Sequence, residues 1–318
     1  MSGRLPKRHD PAADGWAFGG EPVVPPAPSS IDLHTHTTRS DGVLAPARLI
    51  ADAFAAGVRL IALTDHDTLA GYRDVVAAGS VPAGLDLLPG VEINALVTRD
   101  LGLWEGELHV LGFGMDPADD AFEAAMVGQR DQRRLRFQRT VDRLREIGLP
   151  IDAQVAALTP ADDDALGRPT IARALIAAGF AESVEDAFSR LIGHGMPAYV
   201  SRQGLGPEDA IRVIVAAGGV PVLAHFREAP TRLDLLRDLV DIGLAGLEVH
   251  YRAFDQPTTD AVAAVAAELG LLATGGTDYH GDLGPYAESH ARLWVPPAAG
   301  AALRERIGAT SRSRPVGP

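Results

Sequence analysis

The 318-residue chain contains no cysteine. Disulfides and thiolate metal sites are therefore excluded, and any metal is restricted to histidine, carboxylate and water ligands. The absence is also compatible with a cytoplasmic protein. Lysine is nearly missing as well: Lys7 is the only one, so arginine carries the positive charge. The richness in Ala, Gly, Arg and Pro matches high-GC codon usage, so arginine is informative only through its placement. Long apolar runs are lacking, which predicts no membrane segment and no signal peptide. Excess positive charge is lacking too. A net charge of −13 argues against stable duplex nucleic-acid binding, though not against a local cationic pocket. With 46% hydrophobic and 22% charged residues, the composition is that of an ordinary globular protein.

Residues 1–30 are rich in Pro, Gly and Ala without periodicity, and read as an extended or disordered N-terminal arm. From Ile31 onward, apolar strand-like runs alternate with helical patterns. Strands are expected at 31–36, 59–66, 86–94, 107–114, 220–226, 246–251 and 271–280. Helices are expected at 46–57, 207–218, 231–243 and 257–269. Seven strands with intervening helices predict parallel βα units and a closed or nearly closed βα barrel. Residues 118–205 break the rhythm and read as helices only, at 119–147, 168–180 and 184–195. The expected organisation is a barrel from 31–117 and 206–300, a helical insertion at 118–205, and a C-terminal helix end and tail at 301–318.

The stretch "DLHTHTTRSDG" (32–42) puts His34 and His36 on one face of a strand, because side chains alternate with period 2. Taken alone, the pair is either a metal site or two half-buried polar residues. The other strands carry similar groups: His66 in "TDHD", Glu92 in "GVEIN", His109, His225, His250, and Asp278 with His280 in "TDYH". In parallel βα barrels functional groups gather at the C-terminal strand ends. One histidine there is most simply a hydrogen-bonded core residue. Six or seven at equivalent positions point to a polynuclear metal site, since one ion needs only about four to six ligands.

"HTH…SD", "LTDHD", "GVE", "LHVLG", "AH" and "TDYH" resemble, in order, the motif set of the polymerase-and-histidinol-phosphatase (PHP) phosphoesterases. The resemblance covers residues 31–295. "GRPTIARALIAAGF…AFSRLIGHGMPAYV" is similar to the helical insertion of the stand-alone members that act on nucleotide phosphates. The resemblance implies an α/β fold, a distorted seven-stranded barrel with an all-helical insertion. It also implies three divalent metal ions. One would take His34, His36, Glu92 and Asp278; a second the bridging Glu92 with His109 and His225; a third Asp41, His66 and His280. Such mixed His/carboxylate ligands suit manganese foremost, with iron or zinc as alternatives.

The implied activity is hydrolysis of a nucleotide phosphomonoester by a metal-bridged hydroxide. The substrate would be a nucleoside 3',5'-bisphosphate or a short oligonucleotide. Histidinol phosphate or a sugar phosphate is the alternative within the family, and a non-catalytic metal-binding module is the alternative outside catalysis. Two further groups are assigned to catalysis. Asp65 is expected to orient His66, with Asp67 capping the helix that follows. His250 either donates to phosphate or relays a proton, or is simply a polar strand-end residue. In the arginine-rich helix, Phe137, Val141 and Leu144 share a face. Each arginine of that helix is most simply part of a solvated face; the candidates for contacting phosphate are Arg130 and Arg134, together with Arg168 and Arg227, the helical insertion acting as a lid. Two departures from the family pattern stand out. Thr170 follows Arg168-Pro169 where histidine is usual, and Phe226-Arg227 follows His225 where proline is usual. Both put the identity of the nucleotide in doubt.

Overall fold

The computed structural model describes residues 29–97, 107–158, 167–281 and 284–313. The expected N-terminal arm, up to residue 28, and the tail from 314 lie outside them. Two compact units are formed, one of which contains the sheet apart from Glu107, in the described residues of Gly20–Leu96, Leu108–Asp131 and Gly204–Pro318.

Seven strands make that sheet in sequential order: β1 (Ile31–Asp32), β2 (Leu60–Leu63), β3 (Asp86–Leu96), β4 (Glu107–Phe113), β5 (Val220–Leu223), β6 (Gly246–Tyr251) and β7 (Leu272–Gly276). β1, β2 and β3 are parallel, as are β5, β6 and β7. Beyond β1 the chain bonds to β7: Leu33 N–H donates to Gly275 O at 3.1 Å and Asp278 N–H to His34 O at 2.7 Å, so the sheet nearly closes into a barrel. Its interior is apolar, with Ile31, Leu60, Ala62, Leu111, Phe113 and Val222 in one buried cluster that Leu303 joins from the C-terminal helix (Pro297–Ser313).

One expectation fails here. β4 is antiparallel to β5, with Val110 opposite Leu223 and Phe113 opposite Val220. A parallel neighbour requires a crossover of a dozen or more residues, and the stretch between β3 and β4, residues 97–106, is shorter than that.

α1 (Pro46–Ala55) has proline in its first turn and Gly57 at φ +99° just past its end, and it buries Leu49, Ile50 and Ala53. α2 (Ala70–Ala77) follows β2. α3 (Asp120–Glu146) begins after β4. The boundary between the two units falls inside α3, after Asp131, rather than at residue 118. The first part of α3 is tied to the barrel unit by Gln129: its Nε2 donates to Asn94 O at 3.3 Å and its Oε1 accepts from Leu205 N–H at 2.8 Å.

The second unit, over Gln132–Gln203, is helical. It contains the rest of α3, then α4 (Asp152–Leu158), α5 (Arg168–Ala177) and α6 (Val184–Ala187) running into a π-turn at Phe188–Ile192. Phe137, Val141 and Leu144 are buried against Ile151, Ile171 and Leu175 in a core of their own. This is the face that the i, i+4, i+7 spacing of α3 predicts.

Candidate metal centre

Within the barrel unit, loops past the strand ends carry most of the candidate ligands. His66 lies beyond β2, His225 beyond β5, and Asp278 and His280 beyond β7, while Glu92 is inside β3 and bridges to His66. His109 is the exception. It stands near the N-terminal end of β4, and reaches the same end of the barrel only because β4 runs backwards, with Ala224 N–H donating to His109 O at 2.9 Å.

The nine expected ligands come together in three overlapping groups whose donor atoms lie within 4.8 Å of one another. His34, His36, Glu92 and Asp278 form one, Glu92, His109 and His225 another, and His36, Asp41, His66 and His280 the third. Glu92 and His36 are shared. The rings are in contact, with His36 and His280 stacked at 4.0 Å between centroids.

Electrostatics confirm how tightly the charges are coupled. Burial alone would raise Glu92, but His34, His109 and His66 hold its carboxyl well below the usual range. Asp278 and Asp41 are likewise held well below theirs, against burial, by His34 and His280 in the first case and His280 and His66 in the second. Burial would lower His280, but Asp41 and Asp278 push it up to about 10.

The donor set fits divalent metal. Nε2 of His34 and of His36 and Oδ1 of Asp41 are buried without a hydrogen-bond partner. Carboxylate oxygens lie 3.2–3.4 Å from those two histidine nitrogens, but outside hydrogen-bond geometry. Buried polar atoms normally find partners. Lone pairs that converge on a shared space rather than on each other are what a cation completes.

Among the described residues, three non-glycine residues adopt positive φ, and all three are here: Asp67 at +55°, His225 at +31° and Asp278 at +49°. Such backbone costs about 1–3 kcal/mol per residue and persists where surroundings over-determine it. Each is pinned through its N–H, Asp67 to Glu92 O at 3.0 Å, Asp278 to His34 O at 2.7 Å, and His225 to the carboxylate of Glu248 at 2.8 Å.

The remaining expected residues are placed differently. Asp65 does not contact His66 through its side chain. It accepts from Thr37 N–H (2.7 Å), Thr37 Oγ1 and Ser40 Oγ (2.8 Å), and so fastens the loop that carries Asp41. The reason is steric: buried Asp65 sits against the 37–40 turn, and burial raises its pKa in spite of His36 and those hydrogen bonds. Asp67 does not cap the next helix, whose first flanking residue is Leu69 with no side-chain cap. His250 joins none of the three groups among the described residues. A bulge between Glu248 and His250 upsets the strict alternation of β6, and Tyr251 reaches the site instead, its hydroxyl donating to Asp278 Oδ2 at 2.9 Å and its ring 5.4 Å from His225. Burial lowers the pKa of His250.

Arg130 is engaged by protein groups: it donates to Asp67 O at 2.7 Å and pairs with Glu123 at 2.9 Å, and Glu123 also binds Arg73 at 2.7 Å. Arg227 is exposed directly beyond His225, its guanidinium 6.0 Å from the Phe254 ring centre. Arg134 and Arg168 belong to the helical unit. There Arg168 lies over Phe188 at 5.2 Å, and burial brings its pKa down to about 10.

Sequence reasoning missed Glu248 and Asp32. Glu248 is fully buried and accepts from His34 Nδ1 at 3.0 Å. Asp32 is also fully buried; it accepts from Thr277 N–H (2.9 Å), Thr277 Oγ1 (2.7 Å) and Tyr286 Oη (2.7 Å) and fixes the start of the histidine strand. The available signal was a carboxylate set inside an otherwise apolar strand, as in "GLEVHY". No described helix is long and apolar enough to cross a membrane.

Residues 32–146 match the family described as PHP domain. The chain is 32% identical over 269 residues to the 3',5'-nucleoside bisphosphate phosphatase of Chromobacterium violaceum, covering 79% of this chain and 87% of that one. It is 34% identical over 255 residues to a 5'-3' exoribonuclease of Haemophilus influenzae, covering 78% and 89%. A solved structure from Bifidobacterium adolescentis, assigned as a metal-dependent phosphoesterase, superposes with a TM-score of 0.74 at 31% identity, covering 89% of this chain and 97% of that one.

Proposed function

The chain belongs to the PHP family, and from that premise we propose that it hydrolyses a phosphomonoester of a nucleotide, with a nucleoside 3',5'-bisphosphate as the leading substrate class. A short oligonucleotide is the second arm of the same reading, since the exoribonuclease relative is as similar as the phosphatase. The observation that carries the proposal is the convergence of nine histidine and carboxylate side chains in three groups, overlapping through Glu92 and His36.

In this reading three divalent ions, manganese foremost, are held by His34, His36, Glu92 and Asp278, by Glu92, His109 and His225, and by Asp41, His66 and His280. Bound there, they supply an activated water near neutral pH and neutralise phosphoryl charge. The residues of the chain prepare the site for this. Glu92 joins the His34 and His225 groups, and His36 joins the His34 and Asp41 groups. Asp65 and Asp32 hold the segments that carry Asp41 and His34. Tyr251 fixes one oxygen of Asp278, leaving the other for metal. Arg227, exposed two residues past His225, is the candidate within the barrel unit to take a substrate phosphate. Arg130 acts indirectly, by holding the backbone next to His66. Arg134 and Arg168 remain candidates from the helical unit. An acidic protein draws an acidic substrate only through such local positive charge. A cytoplasmic location goes with this reading, given a chain without cysteine.

The test is release of inorganic phosphate by manganese-loaded protein from a panel of nucleoside 3',5'-bisphosphates, short oligonucleotides, histidinol phosphate and sugar phosphates. Preference for the bisphosphate supports the proposal. Preference for histidinol phosphate or a sugar phosphate moves the protein to another activity of the family. No turnover of any ester overturns the catalytic reading.

A further inference from the structure

We infer that Glu248 is a positioning residue that serves two of the three ligand groups at once. One oxygen, Oε1, lies 3.0 Å from Nδ1 of His34, and the other, Oε2, accepts the backbone N–H of His225 at 2.8 Å. His34 belongs to the group with His36 and Asp278, and His225 to the group with His109. Glu248 itself is a member of neither. The inference rests on the metal-binding part of the function proposed above, and not on the substrate.

The chemistry at each oxygen is different. The His225 backbone N–H can only donate, so Oε2 has to accept. His225 holds φ at +31°, and this bond is what anchors its backbone at that strained value. At the other oxygen, a carboxylate facing Nδ1 keeps the proton of the imidazole on Nδ1. The lone pair is then on Nε2, the nitrogen that faces Glu92 and Asp278 at 3.4 and 3.3 Å. Setting the tautomer of a ligand histidine in this way orients the ring and raises its basicity. Burial makes the arrangement exclusive: both His34 and Glu248 are 0% exposed, so water cannot replace either bond.

The substitution Glu248→Gln has nearly the same shape but a single acceptor oxygen. If that oxygen stays with His225 N–H, the amide NH2 faces Nδ1 of His34. Nδ1 must then accept, the proton moves to Nε2, and the lone pair for metal is lost. If the amide turns round, two donors meet at the strained His225 backbone. Either way one group is impaired.

Titration of metal-free protein with manganese against a competing chelator reads this without any ester. The expected result for Glu248→Gln is a 10- to 100-fold loss of metal affinity, together with a lower melting temperature in EDTA, since a buried partner of His34 and His225 is removed. In a His34→Ala background the same substitution should affect only the His225 group, so the two losses should be less than additive. A second measurement needs no variant: nitrogen NMR of zinc-loaded protein should show His34 protonated at Nδ1 and metal-bound at Nε2. Unchanged manganese affinity and stoichiometry in Glu248→Gln would overturn the inference, as would His34 bound to zinc through Nδ1. A purely structural carboxylate would lower melting in EDTA and leave metal affinity alone. A failed substrate panel with normal metal binding would sink the activity and leave this inference standing.

Discussion

At the scale of single residues, the site is a balance of buried charges that no pair of them would survive alone. His34 is carried well above its ordinary value by Glu248, Asp278 and Glu92, although burial by itself would lower it. Removing part of such a network leaves uncompensated charge in the interior. Replacing both His34 and His36 with alanine should abolish metal content, measured by elemental analysis, together with phosphate release. Activity surviving that change would mean the ligands have been assigned to the wrong residues. Glu123 offers a gentler test away from the metals. Partial burial would raise it, but hydrogen bonds from Arg130 and Arg73 hold it below its ordinary value of 4.5. A depressed carboxylate stabilises the fold above its unfolded pKa and loses that contribution as pH falls through the folded one. The melting difference between Glu123→Gln and the unsubstituted protein should therefore be full above pH 4.5 and shrink below it. A constant difference down to pH 3 would show that charge is not what Glu123 contributes.

At the scale of elements, close approach of β7 to the histidine strand closes the barrel and builds the site in one step. Gly276 makes that approach possible: a Cβ there would stand 2.3 Å from His34 Cβ and 2.4 Å from His34 N. Backbone atoms cannot swing aside as a flexible side chain can. We expect Gly276→Ala to displace His34, lower metal affinity at least tenfold, and destabilise the fold by about 1–3 kcal/mol, as overpacking in a core does. Chelator competition and urea unfolding measure the two effects separately. Wild-type values for both would show that β1 and β7 are not pressed together here. β4 teaches a related lesson about direction. Had it run parallel to β5, His109 would have been left at the opposite end of the barrel from His225.

At the scale of the whole molecule, nine ligands drawn from six strands and their loops are joined through a centre that none of them fills alone. Ligand binding to the native state alone stabilises by mass action, about 2.7 kcal/mol at one hundred times Kd for one site. Adding manganese to metal-free protein should raise its melting temperature by several degrees, and excess EDTA should reverse the shift. A melting temperature indifferent to manganese, zinc and iron would argue against a metal centre altogether. The helical unit has a core of its own around Leu144, Ile171 and Leu175, so its contribution to stability is distinct from that of the metals.

The sequence by itself carried the resemblance to the family, the seven strands in their order along the chain, and the candidate ligands. Those rest on local patterns: apolar runs of strand length, helices with proline at the start and glycine past the end, and histidines or carboxylates at the ends of nearly every run. Phe137, Val141 and Leu144 were legible for the same reason, since helical spacing depends only on neighbours in the chain. Tertiary structure decided what depends on direction and distance. It reversed β4, so that His109 enters from the start of its strand. It set a bulge in β6, which brings Tyr251 rather than His250 to the ligands. It turned Asp65 toward the Thr37–Ser40 loop and engaged Arg130 with Asp67 and Glu123. It also brought Glu248 against His34, 214 residues away in the chain. Side chains that coordinate can be read from their type and position in a strand. Side chains that hold the coordinating ones in place act across strands, and only the closed barrel shows which pairs meet.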